Sequence, residues 1–271
     1  MIREITLGQY YQSDSMIHKL DPRTKIIITM TFLISLFLID SIWAYTIPLL
    51  FLLIEIRTSK VPFKFIVKGM RAIMMLLIIT VIFNIFLTPG EPIFTFWKIN
   101  ITMEGIKIAI QMAIRLVFLI IGSSLMTLTT TPTQLTDGLE KLLRPLSYIK
   151  VPVHEIAMMM SIALRFIPIL LEETDKIIKA QLARGADFES KNIIKKVKSY
   201  IPILVPLFIS AFRRASDLAL AMEARCYRVG AKRTKMKPLI YQNRDFISYA
   251  FILGYLGVII VLNIYLKGMA Q

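Results

Sequence analysis

The chain has 271 residues, 56% of them hydrophobic, and a mean hydropathy of +0.64. That is too apolar for a soluble domain and fits a polytopic membrane protein. The net charge of +15 would point to nucleic acid in a soluble protein; here the excess of positive charge in cytoplasmic loops explains it, and no nucleic-acid-binding module accompanies it.

Residues 1–25 read as a polar interfacial segment without the apolar core of a signal peptide, so insertion is expected to use the first span itself. Asp21-Pro22 can start a helix, with proline in its first turn, and Arg23 and Lys25 anchor its cytoplasmic end. Residues 26–39 and 42–56 are apolar runs interrupted at Asp40-Ser41, a helical hairpin with its turn outside. Arg57, Lys60, Lys64, Lys68 and Arg71 mark the next loop as cytoplasmic. A third span over 65–87 is broken by Thr88-Pro89-Gly90-Glu91-Pro92, and the following outer loop, with Trp97 and Lys98, leads to a fourth span over 106–128. Arg115 lies about 14 Å into this fourth span at 1.5 Å per residue. A charge there must face protein or water, as an internal hydrogen-bonding partner or as a contact with a second membrane subunit.

Residues 134–244 carry 20 Lys/Arg against 10 Asp/Glu, which places this polar region at the cytoplasmic side. Thr133 to Leu146 reads as a short amphipathic helix. A methionine-rich run over 154–171 is broken and charged, and continues into an arm over 172–184. A basic segment over 191–198 precedes a second arm over 206–227, and Arg228 to Lys237 is basic again. Ala211, Ala215 and Ala219 recur every four residues along the second arm, a stripe that permits close helix crossing. A last span over 246–266, with Gly254 and Gly257 available for tight packing, puts the C-terminus outside.

Two matched phrases organise this region. Ala180-Gln181-Leu182-Ala183-Arg184-Gly185 and Ala221-Met222-Glu223-Ala224-Arg225-Cys226 each end an arm opened by a proline phrase, Phe166-Ile167-Pro168 and Tyr200-Ile201-Pro202. From Pro168 to Arg184 is 16 residues and from Pro202 to Arg225 is 23, so the second arm reads as longer by two helical turns. Arginine at a helix C-terminus followed by glycine is ordinary capping. Two such tips on matched arms also suit docking, because a planar guanidinium fits a partner's carboxylates or carbonyls.

No P-loop, zinc cluster or protease motif appears. His18 and His154 read as hydrogen-bonding residues, and Met158, Met159 and Met160 as adaptable packing. Nothing argues for an enzyme.

Along nearly its whole length the chain resembles the transmembrane T component of energy-coupling factor transporters, the CbiQ/EcfT family. The likeness runs through Gly8-Gln9-Tyr10, Ser15 to Lys25, Thr131-Pro132 and Arg165-Phe166-Ile167-Pro168, and is most specific at the two Ala-Arg-small motifs. It implies an all-α membrane protein of about five transmembrane helices plus a cytoplasmic domain of long crossing coupling helices. The expected division is 1–25, interfacial; 26–130, four spans; 131–244, coupling helices; and 245–271, the last span. It implies two P-loop ATPase subunits contacting Ala183, Arg184, Gly185, Ala224, Arg225 and Cys226. It also implies a separate substrate-binding membrane subunit, surrounding lipid, no nucleic acid, and no cofactor in this chain, ATP being held by the partners. Cys226 stands where the family usually has a glycine or other small residue; cysteine is small enough to keep the contact, but the second helix end is expected without a left-handed cap. The rival readings are a stand-alone secondary transporter, which would need several intramembrane charges besides Arg115, and a membrane-embedded enzyme.

Overall fold

The computed structural model describes residues 10–39, 41–71, 73–89, 92–96, 99–186, 193–228, 230, 236 and 238–269. Gly8, Gln9, Asp40, Gly90, Glu91, Trp97, Lys98, residues 191–192, most of the 229–237 basic segment and the last two residues therefore lie outside the described residues. The chain forms two compact units: Gly8–Leu142 with Leu239–Gln271, and Met1–Leu7 with Leu143–Pro238.

The first unit is built from α1 (Pro22–Ser35), a 3-10 turn (Ile42–Tyr45), α2 (Thr46–Ser59), α3 (Phe63–Arg71), α4 (Met74–Leu87), the strands β1 (Pro92–Phe96) and β2 (Ile99–Thr102), α5 (Met103–Thr129), α6 (Pro132–Leu143) and α9 (Asn243–Met269). Asp21 caps α1, its side chain accepting from the Arg23 N–H, with Pro22 in the first turn. Thr102 does the same for α5 by accepting from Gly105 N–H. An aromatic stack runs through the core: Phe51 lies 5.2 Å from Phe32 and 4.7 Å from Tyr255, ring centre to ring centre. Gly122 of α5 lets Phe32 approach, since a Cβ there would meet the ring at 2.8 Å. A Cβ on Gly138 would meet Pro22 and Ile26 at 3.0 Å, so α6 packs against α1. Gly254 and Gly257 are different: a Cβ on either meets nothing within 4 Å, so neither packs closely against another described element of this chain.

The third span is not one helix. It breaks into α3 and α4, with Ile73 N–H donating to Met70 O at the turn. Lys64, Lys68 and Arg71 fall on one face at helical spacing, and a charged face of that kind does not cross a bilayer. Helical segments long and apolar enough to span are Ile42–Ser59, Met103–Thr129, Val153–Ala183 and Asn243–Tyr265. α1 and α4, at 14 residues each, reach about 21 Å at 1.5 Å per residue, short of the ~30 Å hydrocarbon core. The outer loop expected after α4 contains an antiparallel hairpin pairing Phe96 with Ile99 and Thr95 with Asn100. It is a small addition to an otherwise helical membrane protein.

The second unit holds a 3-10 turn (Arg144–Ile149), α7 (Val153–Ala183) and α8 (Ile193–Ala224). The sequence reading separated 154–171 from 172–184, yet α7 runs unbroken through Pro168 for 31 residues. α8 takes in Pro202 and Pro206 over 32 residues.

Candidate functional site

α7 and α8 run antiparallel. Gln181 of α7 bonds to Pro202 of α8, while Glu173 bonds to Ser210 and Arg214. Proline 206 has no N–H, so the carbonyl of Pro202 lacks its helical donor; Gln181 Nε2 donates to it at 3.4 Å. The second residue of the first motif thus repairs a proline defect in the opposite helix.

At the centre, Ser210 Oγ donates to Glu173 Oε1 at 2.5 Å and Arg214 Nη2 donates to Glu173 Oε2 at 2.8 Å. The pair is partly solvated, with Arg214 40% and Glu173 25% exposed. The alanine stripe lies just beyond it. Ala211, Ala215 and Ala219 face α7 across an open, almost wholly apolar cleft of about 310 Å³, opposite Ile162, Phe166 and Leu170. The closest polar joint of the two helices is therefore the Glu173 cluster, and the stripe widens into a cleft.

Both helix tips have the same cap. At the end of α7, Gly185 takes φ +85°, its N–H donates to Leu182 O at 3.0 Å, and Ala186 N–H donates to Gln181 O at 3.0 Å. At the end of α8, Cys226 takes φ +55°, its N–H donates to Glu223 O at 2.8 Å, and Tyr227 N–H donates to Met222 O at 2.9 Å. Each is a Schellman motif with the arginine at the last helical turn. The expectation that Cys226 would leave α8 without a left-handed cap is corrected: the cysteine adopts that conformation and completes both hydrogen bonds. Ala183, Arg184, Gly185, Ala224, Arg225 and Cys226 are all exposed. Among the described residues, neither guanidinium has a hydrogen bond or ion pair.

The two arms are also not unequal. Arg184 lies eleven residues beyond Glu173, and Arg225 eleven residues beyond Arg214, about 16 Å along either helix at 1.5 Å per residue. Counting from the prolines hid this, because Pro168 and Pro202 are not equivalent positions on the pair.

In the first unit, Arg115 Nε donates to Tyr45 Oη at 3.1 Å and Nη2 to Ile39 O at 3.0 Å. The guanidinium lies 5.6 Å from the Phe37 ring centre. It holds the α1–α2 connection from inside the unit. Three features escaped the sequence reading. Glu173 and Ser210 were not singled out because their partner lies on another helix. Glu55 sits inside the second apolar run, and the scan for intramembrane charge that found Arg115 would have found it. Among the described residues no group of three His, Cys, Asp or Glu is placed to hold a metal.

The cobalt transport protein (CbiQ) family model matches residues 13–236. The chain belongs to the CbiQ/EcfT family. It is 58% identical over 250 residues to the energy-coupling factor transporter transmembrane protein EcfT of Clostridium kluyveri, covering 92% of this chain and 93% of that one. The EcfT protein of Heliobacterium modesticaldum is 46% identical over 269 residues, covering 99% and 100%. That of Bacillus subtilis is 45% identical over 246 residues, covering 90% and 93%. This CbiQ/EcfT chain is the transmembrane component of a multi-subunit energy-coupling factor transporter. The comparisons support that role and not the stand-alone secondary transporter.

Proposed function

We propose that this transmembrane component holds two P-loop ATPase subunits on its two helix tips and passes their ATP-driven movement to a separate substrate-binding membrane subunit. The observation that carries the reading is the pair of tips. Two exposed arginines, each on a Schellman-capped helix end and each free of partners among the described residues, stand at opposite ends of one antiparallel helix pair. A rigid cap fixes where the arginine side chain leaves the helix end, and a planar fork with five donors engages a groove of carboxylates or carbonyls in one orientation. The Glu173–Ser210–Arg214 cluster ties the two arms together, so displacement of one tip is felt by the other.

The ATP sits in the partners, and this chain needs no cofactor of its own. The basic excess of 134–244 argues for tips on the cytoplasmic side, with the N-terminus also cytoplasmic and the C-terminus outside. The substrates are vitamins or other micronutrients, taken up through the partner membrane subunit.

The test is co-purification of the tagged chain from its native membrane with mass spectrometry of what accompanies it. Wild type is expected to bring P-loop ATPases and small, very apolar membrane proteins. Arg184→Glu and Arg225→Glu should each abolish transport, and the double change should lose the ATPases while keeping the membrane partner. A double variant that retains its ATPases at the wild-type ratio would remove the tips from the mechanism.

A further inference from the structure

The first unit contains a cavity of about 230 Å³ between the lead-in segment, α1, α2, the end of α5 and α9. Phe51, Ile54, Met126, Ile247 and Phe251 contribute to its largely apolar wall. Ile54, Ile247 and Phe251 are all well exposed, at 50%, 69% and 48%, and they belong to helical segments long and apolar enough to span the membrane. The cavity therefore opens sideways onto lipid.

Two ionisable side chains of opposite sign line it, Lys25 and Glu55. Lys25 is 5% exposed. Its ammonium donates to Thr129 O at 2.8 Å and His18 O at 3.2 Å. An ammonium has three donors, so one remains, and no carboxylate lies within ion-pair distance among the described residues. Glu55 is half-buried one turn before the end of α2, and among the described residues its carboxyl has no hydrogen bond or ion pair. The two groups are not paired with each other. Both lie at the end of the spans that carries Arg23, Arg57 and Lys60, at headgroup depth. Leaving Glu55 without a partner and Lys25 without a counter-charge beside hydrocarbon is costly, and a ligand with both charges would satisfy them together. A divalent cation would not: a single carboxyl falls short of the oxygen ligands it needs.

We propose that this cavity binds one phospholipid with a primary ammonium in its headgroup, phosphatidylethanolamine in class. An acyl chain packs against Phe51 and Phe251, the ammonium donates to Glu55, and a phosphate oxygen accepts from the third N–H of Lys25. The chemistry selects among lipids. A trimethylated choline headgroup has no N–H to give Glu55, and a glycerol headgroup offers no cation.

The full chain, purified in mild detergent and equilibrated with equal amounts of phosphatidylethanolamine, phosphatidylcholine and phosphatidylglycerol, is washed, and the retained lipid is measured by mass spectrometry. Phosphatidylethanolamine should be retained about tenfold over the other two, the effect of a charge-assisted hydrogen bond. Glu55→Gln should remove that preference, and Ser248→Phe, which fills the cavity from α9, should lower retention of all three. The melting temperature should rise with added phosphatidylethanolamine in wild type and not in Ser248→Phe, which keeps the question answerable where Glu55→Gln misfolds. Equal retention of the three lipids, retention of none, or an unchanged preference in Glu55→Gln overturns the proposal.

Discussion

Gly185 and Cys226 occupy the same position of the same cap, one with a side chain and one without, and exchanging them isolates the cost of the left-handed conformation. A Cβ built on Gly185 meets nothing within 4 Å, so Gly185→Ala introduces no clash; the change is purely one of backbone preference. An L-residue in the left-handed region is disfavoured by ~1–2 kcal/mol, and glycine's larger freedom in the open state offsets part of that, ~0.4–1 kcal/mol. The net is ~1 kcal/mol, about fivefold in the equilibrium between capped and frayed tip. Cys226→Gly should therefore slow amide exchange about fivefold at Cys226 and Tyr227, the two donors of the α8 cap. Gly185→Ala should speed it by the same factor at Gly185 and Ala186. The assay is hydrogen–deuterium exchange read by mass spectrometry on the detergent-solubilised chain, comparing α7 and α8 terminal peptides in each variant. If Cys226→Gly leaves or lowers protection at the α8 tip while Gly185→Ala behaves as stated, the side chain of Cys226 is held by something other than the cap, and the equivalence of the tips fails.

Gln181→Ala should weaken the α7–α8 pairing by ~0.5–1.5 kcal/mol, and Pro206→Ala, which restores an N–H to Pro202 O, should cancel most of that loss in a double-mutant cycle on thermal unfolding. Additive effects would mean the repair contact is idle. Arg115→Met should lower thermal stability by ~1–3 kcal/mol, because Ile39 O and Tyr45 Oη lose their donor, while ATPase co-purification stays at the wild-type ratio; loss of partner binding at unchanged stability would make Arg115 a subunit contact instead. His18 Nε2 donates to Tyr11 O and its Nδ1 lies 2.6 Å from the Ser15 hydroxyl, and burial lowers its pKa below the ordinary 6.5. Its folded pKa being the lower one, its contribution is complete above pH 6.5 and is lost as pH falls through the folded value. The melting temperature of wild type should drop over that range, and His18→Gln should flatten the drop.

The tips were readable because a cap motif is local: alanine, arginine and a small residue at a helix end mean the same thing wherever the chain goes. How Cys226 satisfies the cap was not readable, since propensity argues against cysteine in the left-handed region and only the hydrogen bonds to Glu223 and Met222 overrule it. The third span was misread because Lys64, Lys68 and Arg71 were counted as loop charges while the span was still begun at residue 65, and their period of about 3.6 was not read as a separate helix. Lys64, Lys68 and Arg71 recur along α3 from its first turn to its last residue, and the apolar remainder, α4, is only 14 residues long. α7 was split by attending to Pro168, although a proline inside a long helix removes one hydrogen bond and need not end it. Glu173 and Arg214 are 41 residues apart in sequence, and ion pairing over that separation is set by the register of two helices, which no local pattern reports.

That same separation of 41 residues also divides Arg184 from Arg225 and Gln181 from Met222. Adding it to a position on α7 gives the corresponding position on α8, which is what a local pseudo-two-fold axis near the Glu173–Arg214 pair would produce. The opposed charges at the axis break the symmetry where self-pairing of like residues would repel. A partner dimer with its own two-fold axis would meet two chemically matched handles. Any preference of one subunit for one handle must then come from the positions where the halves differ, which within the two phrases are Gln181 against Met222, Leu182 against Glu223 and Gly185 against Cys226.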